Sequence, residues 1–328
     1  MRRAETVANP LTVLLLVVAV VFALVKGLND GAALVAVTSA GISFVPLAAV
    51  AVLAAALVAG PLLVGTRVAT TFAAGLVPAH GSASRLSFLI GISSAMLVAG
   101  LLAAKGLPTS LTMAIVGGLA GAGVGSGLPV AWLTIGIVTA AGLIAPLLAG
   151  IVAAGVLVAL GRLPMRHSTR SRLRWLTYWS FGLQALAYSA NDGQSMLAVF
   201  AVAVGGTTAV QARLPELIVL AVAFCAGTVI GLQRVAPRLT LALALTGPAD
   251  GIAAELASTA SAFAARAFGA PVSMTQTMTA GLAGARTRSG LRRVRWEQAS
   301  RLVIAWAATL PLSALVGVGL AAGVGALR

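Results

Sequence analysis

Gly27-Leu28-Asn29-Asp30-Gly31 interrupts an otherwise apolar run, and Ser189-Ala190-Asn191-Asp192-Gly193 repeats it at an offset of 162 residues. An ionised side chain at the centre of a bilayer costs roughly 2.5–3.5 kcal/mol on insertion scales, so an Asp in such a run is expected to face a cavity and carry function. A single Asn-Asp pair is read equally well as a helix cap near the membrane interface. Its recurrence, with Gly following both times, favours function. Asn and Asp supply hard oxygen ligands, and Gly permits local unwinding that frees backbone carbonyls, which are the parts of a broken-helix cation site.

A second motif repeats in the same order. Gly106-Leu107-Pro108-Thr109-Ser110-Leu111-Thr112 returns as Gly269-Ala270-Pro271-Val272-Ser273-Met274-Thr275, at an offset of 163. Proline breaks or starts a helix, and Ser or Thr then caps the next one with its first amides unpaired. Those amides and the positive end of the helix dipole suit an oxyanion. Segments 107–125 and 270–286 are short, Gly-rich and interrupted, so they read as re-entrant helical hairpins.

The surrounding composition fixes the class. The chain has 328 residues, 59% hydrophobic and 9% charged, with 22 Lys+Arg against seven acids and a net charge of +15. Soluble domains are about 25% charged, so a soluble globular protein is excluded, as are disordered and disulfide-stapled chains. Apolar segments near 10–40, 43–64, 84–104, 128–160, 174–204, 215–232, 249–268 and 297–326 are each long enough for the about 20 residues that a spanning helix needs. The first is read as a retained helix rather than a cleaved leader. Two tracts carry five arginines each, 161–174 and 286–295. By the positive-inside bias both belong to cytoplasmic loops that touch lipid headgroups, not to a nucleic-acid interface. Putting both tracts inside requires one long segment, such as 128–160, to split. The duplication divides the chain into a first transmembrane repeat (1–160), a basic linker (161–174) and a second repeat (175–328). The fold class is therefore all-α and polytopic, with two inverted repeats, broken Asn-Asp helices and re-entrant hairpins.

In these motifs the sequence resembles the PiT family of inorganic phosphate transporters. The resemblance rests on Gly27–Asp30, the hairpin at 106–117, Ala190-Asn191-Asp192-Gly193-Gln194, Gly251-Ile252-Ala253-Ala254-Glu255 and the hairpin at 269–281. It implies a secondary-active symporter with phosphate and cations enclosed between the repeats. Asn29, Asp30, Asn191 and Asp192 would hold cation and substrate. Ser110, Thr112, Ser273 and Thr275 would hold the oxyanion, and Glu255 would sit close to the cation site. The coupling ion would be Na+ or H+, without any other cofactor. Sulfate is the alternative substrate, because Leu111, Met113, Met274 and Gln276 stand where the family usually has hydroxyls and His. Ala33, Ser195 and Met196 are further departures. Lys26 replaces a small polar residue four positions before Asp30. On a continuous helix the two would pair and the ammonium would take a cation's place; a snorkelling Lys or a broken turn between them is the favoured reading.

Other readings are weaker. His80 and His167 are the only histidines, and Asp250 and Glu255 fall on different helix faces, so an intramembrane enzyme lacks a nucleophile–base set. Cys225 reads as a packing residue. Gly- and Ala-rich faces suit a homodimer. Twenty arginines to two lysines suggest a prokaryotic plasma-membrane protein.

Overall fold

The computed structural model describes residues 9–39, 45–77, 81–104, 109–162, 169–205, 210–234, 247–287, 290 and 296–327. His80, His167, Gly106–Pro108, residues 163–168 of the 161–174 tract and most of 286–295 lie outside them. Every regular element among the described residues is helical. α1 (Pro10–Lys26) opens with Asn9 as its cap, the Oδ1 accepting from Leu11 N at 3.0 Å. It continues through a π turn, Gly27–Gly31, into α2 (Ala32–Ser39). α3 (Pro46–Val64), the short α4 (Arg67–Thr70) and a second π turn, Thr71–Gly75, follow. Next come α5 (Gly81–Ala104), α6 (Leu111–Gly125) and α7 (Trp132–Gly161). The second half holds α8 (Thr169–Ala190), α9 (Gln194–Ala203), α10 (Leu214–Arg234), α11 (Pro248–Ala267), α12 (Met274–Thr287) and α13 (Trp296–Ala326).

Among the described residues, six helices are long and apolar enough to cross a membrane. Six of the eight expected segments match them; 174–204, which breaks at Asn191–Gly193, and 249–268, which is rich in polar and small residues, are helical but fall short of the apolarity of a span. α7 runs 30 residues without a break, Pro146 included, so the split expected within 128–160 does not occur. Its buried positions Ile135, Val138, Gly142, Ala145, Ala149 and Ala153 recur at helical spacing, whereas Leu133, Ile137, Ile144, Leu147 and Ile151 are exposed. A helix that is apolar all round, with one face in contact with other helices and the other bare, is built for lipid.

α6 and α12 are 15 and 14 residues long. At 1.5 Å per residue they reach about 22 Å, short of a hydrocarbon core of about 30 Å. Each is preceded by an extended cap, Thr109–Ser110 before α6 and 270–273 before α12. α6 is held against α13 by close backbone approach: a Cβ at Gly117 would lie 2.1 Å from Leu310 O, and one at Gly121 2.0 Å from Ala314 O. This is the small-xxx-small arrangement that replaces the hydrophobic effect between helices in lipid. α12 lies against α7 and α11. One buried cluster, with Phe22, Phe72, Phe181, Tyr188 and Phe224 among its members, draws from both halves of the chain. The half-buried Cys225 packs beside it.

Candidate transport site

Both Asn-Asp motifs interrupt helices, but by different means. The first is not unwound. Gly27–Gly31 forms a π turn inside a continuous 30-residue span, Pro10–Ser39. A π turn inserts an extra residue into the α ladder, a device common at functional sites. Lys26 and Asp30 thus stay on one face, four residues apart, both buried. The second motif is a true break, with Asn191-Asp192-Gly193 forming turns between α8 and α9. Gly193 N donates to Tyr188 O at 2.8 Å, and Ser195 Oγ donates to Asp192 O at 2.8 Å, so the broken turn stays hydrogen-bonded.

The two interruptions meet. Lys26 Nζ lies 2.6 Å from Asp192 Oδ1 and 3.2 Å from Asp30 Oδ2, and it also donates to Asp192 O and Ser195 Oγ, each at 3.2 Å. The expectation of a snorkelling or separated Lys26 is overturned. The π turn preserves the i, i+4 face, and the side chain points inward with 0% exposure. Tyr188 OH donates to Asp30 Oδ2 at 3.1 Å, and Asn29 Nδ2 donates to Asp30 Oδ1 at 2.8 Å. The pattern is crossed. The residue four before Asp30 makes its shortest contact with Asp192, and the residue four before Asp192 reaches Asp30. Tyr188 was missed in the sequence, although its place relative to Asp192 mirrors that of Lys26 relative to Asp30.

Two donors at the starts of the short helices complete the cluster. Thr112 Oγ1 donates to Asp192 Oδ1 at 2.7 Å, and Met274 N donates to Asp192 Oδ2 at 3.2 Å. The first amide of α12 therefore faces a carboxylate of the chain itself, as expected of a helix N-terminus that favours negative charge. Three ionisable groups share this buried volume. Pairs about 3 Å apart attract by about 5 kcal/mol at an effective dielectric near 20, yet desolvation offsets much of that, and buried ion pairs are poor stabilisers.

The remaining candidate residues stand apart from the triad. Ser110 caps α6 and accepts from Met113 N at 3.3 Å. Ser273 and Thr275 hydroxyls bond each other at 3.0 Å. Asn191 is a brace: its Nδ2 donates to Ala262 O at 3.1 Å and Ala270 O at 3.2 Å, while its Oδ1 accepts from Val272 N at 2.9 Å. That ties the extended entry of α12 to the broken helix. Glu255, expected near the cation site, instead takes hydrogen bonds from Thr38 and Ser180 on α2 and α8. The reason is positional: it sits in the first half of α11, away from the turn leading into α12. It is fully buried and borders a small cavity with Val37, Thr177 and Gly251.

The bracing role of Asn191 carries a testable consequence. Asn191→Ala strands the Ala270 carbonyl and the Val272 amide in the interior, at roughly 1–3 kcal/mol for each unsatisfied group. The melting temperature of the solubilised protein should fall clearly, whereas Asn29→Ala, at a half-buried position with one hydrogen bond, should change it little.

A sequence-family model described as the phosphate transporter family matches the chain twice, over residues 26–181 and 162–317. The chain belongs to the phosphate transporter family. A probable low-affinity inorganic phosphate transporter of Mycobacterium bovis is 33% identical over 324 residues, covering 94% of this chain and 76% of the relative. Proteins of the same description from Rhizobium meliloti and Bacillus subtilis are 29% and 26% identical, covering 95% and 94% of this chain and 96% and 95% of theirs. A solved structure described as the sodium-dependent phosphate transporter superposes with a TM-score of 0.78, covering 98% of this chain and 100% of that one. At 16% identity this likeness establishes the shared fold. Family and fold are those of a transporter and not of an enzyme. With its apolar spans and bacterial relatives, the family member described here is a multi-pass protein of the prokaryotic plasma membrane.

Proposed function

We propose that this chain is a secondary-active symporter of inorganic phosphate, with the substrate bound between two inverted repeats (1–160 and 175–328) joined by the basic linker 161–174. The observation that carries the reading is the convergence of Asp30 and Asp192 with the leading ends of α6 and α12. Thr112 Oγ1 and Met274 N, which now donate to Asp192, are the donors an incoming oxyanion would take over. Ser110, Ser273 and Thr275 lie on the same two helix starts and would extend that donor set; Asn29 and Asn191 would hold the two Asp motifs in register.

Charge explains why transport would be coupled. With Lys26 ionised, the triad of Lys26, Asp30 and Asp192 carries one net negative charge. Phosphate near neutral pH adds one or two more, and like charges about 4 Å apart repel by about 4 kcal/mol at an effective dielectric near 20. A cation, Na+ or H+, must therefore accompany the anion. Glu255, buried beside its own small cavity, is a second place where such a charge would be held. Rocking of one repeat against the other would expose the site alternately.

The test is uptake of labelled phosphate and labelled sulfate into proteoliposomes, with sodium and pH gradients imposed separately. Phosphate should accumulate under at least one gradient, with sulfate a poor competitor. Asp30→Asn should reduce uptake by about tenfold or more, since it removes a charge from a buried pair. Concentrative phosphate uptake without any ion gradient, preference for sulfate, or full activity of Asp30→Asn would each overturn the proposal.

A further inference from the structure

We infer that Lys26 is a resident cation: its ammonium takes the position between the two Asn-Asp motifs that a metal ion would otherwise fill, so this chain needs no Na+ there. Nζ is ringed by four oxygens, from the Asp192 carboxylate, the Asp192 carbonyl, the Asp30 carboxylate and the Ser195 hydroxyl, at 2.6–3.2 Å. Two carboxylates, a main-chain carbonyl at a helix break and a hydroxyl form the donor set that hard cations select. The ammonium has captured all four. It lies 5.9 Å from the Phe22 ring centroid and 5.8 Å from that of Tyr188, within the range at which aromatic faces attract a cation. Covalent attachment is what separates it from a bound ion. A metal ion enters with the substrate and leaves with it, and so is counted in the transport stoichiometry; an ammonium tethered to the last turn of α1 neutralises one carboxylate throughout the cycle and is never released.

An ammonium that acts only as a structural clamp gives a different result on removal from one that occupies an ion site. With Lys26→Met or Lys26→Asn, the four oxygens lose their resident charge, and a small cation should enter. Radiolabelled Na+ binding to purified protein reads this directly and needs no transported solute, so it stands whether or not phosphate is the cargo. Wild type should show no saturable Na+ binding dependent on Asp192, whereas the Lys26 variants should gain one site per chain, lost again when Asp192→Asn is added. In proteoliposomes, replacing Na+ by choline should cost wild-type phosphate uptake far less than it costs the Lys26 variants. Uptake by the variants should fall roughly a hundredfold in choline and recover with Na+, as expected when a buried charge pair is broken and then remade. This transport arm rests on the phosphate-symport reading. Saturable Na+ binding by wild type that Asp30→Asn abolishes would overturn the inference, even if no Lys26 variant folds. So would folded Lys26 variants with no response to Na+.

Discussion

Replacing Asp192 by Ala is expected to abolish phosphate uptake and to lower the melting temperature of the solubilised protein by about 10 °C, the effect of a loss of about 3–5 kcal/mol in a chain of this size. One side chain accounts for this because Asp192 accepts from Lys26, Thr112 and the Met274 amide at once. Its removal strands the ammonium with Asp30 alone and leaves a hydroxyl and an amide in the interior without their partner. The double variant Lys26→Met with Asp192→Ala separates stability from function. Exchanging both members of a buried ion pair for apolar groups is often neutral, whereas breaking the pair from one side is not. Thermal unfolding of the double variant should therefore recover part of the loss while uptake stays absent; the Thr112 hydroxyl, the Met274 amide and the Asp30 carboxylate, each having lost a partner, account for the rest. A double variant that melts as low as Asp192→Ala would mean that the ion pair contributes stability outright. Recovery of uptake would mean that neither charge is needed for transport.

The parts of this site that lay open in the sequence are those carried by composition and repetition. An Asp in an apolar run is costly enough to demand a reason, and two of them, each after Asn and before Gly, marked Asp30 and Asp192 as facing a shared site. Thr112 was reached through the Pro-x-Ser-x-Thr spacing, and its hydroxyl lies on Asp192. What stayed hidden depended on distance in sequence and on backbone detail. Lys26 and Asp192 are 166 residues apart, and no local pattern joins them. Whether Gly27–Gly31 unwinds or forms a π turn decides if Lys26 faces Asp30, and glycines permit either. Asn191 was marked as a ligand of cation and substrate; its bracing contacts to Ala262, Ala270 and Val272 were not legible, because an amide serves equally as ligand and as brace. Glu255 followed the family resemblance rather than any spacing within this chain, and the helix that carries it points it at Thr38 and Ser180 instead.

The other large expected effect arises where α1 and α10 cross, one contact behind the triad. A Cβ at Gly27 would lie 1.9 Å from Phe224 O, and reciprocally one at Gly227 would lie 1.9 Å from Leu24 O. Both obstacles are backbone, so neither can rotate away, and the helices must separate to admit even a methyl group. Overpacking against side chains typically costs 1–3 kcal/mol; against a rigid carbonyl the cost should exceed about 3 kcal/mol. The displacement also reaches the site by a short path. Phe224 packs on Tyr188 with ring centroids 5.4 Å apart, and Tyr188 donates to Asp30. Gly27→Val should therefore give little folded protein in detergent, and Gly27→Ala should fold with weakened uptake. Gly155→Ala serves as the control. Beyond its own helix backbone and chain neighbours no atom lies within 4 Å of the added Cβ there, and Ala is preferred to Gly in a helix by about 1 kcal/mol. Size-exclusion profiles and melting curves of the three variants, read beside uptake, check the argument. Equal behaviour of Gly27→Ala and Gly155→Ala would show that the α1–α10 crossing yields more readily than two opposed backbones should.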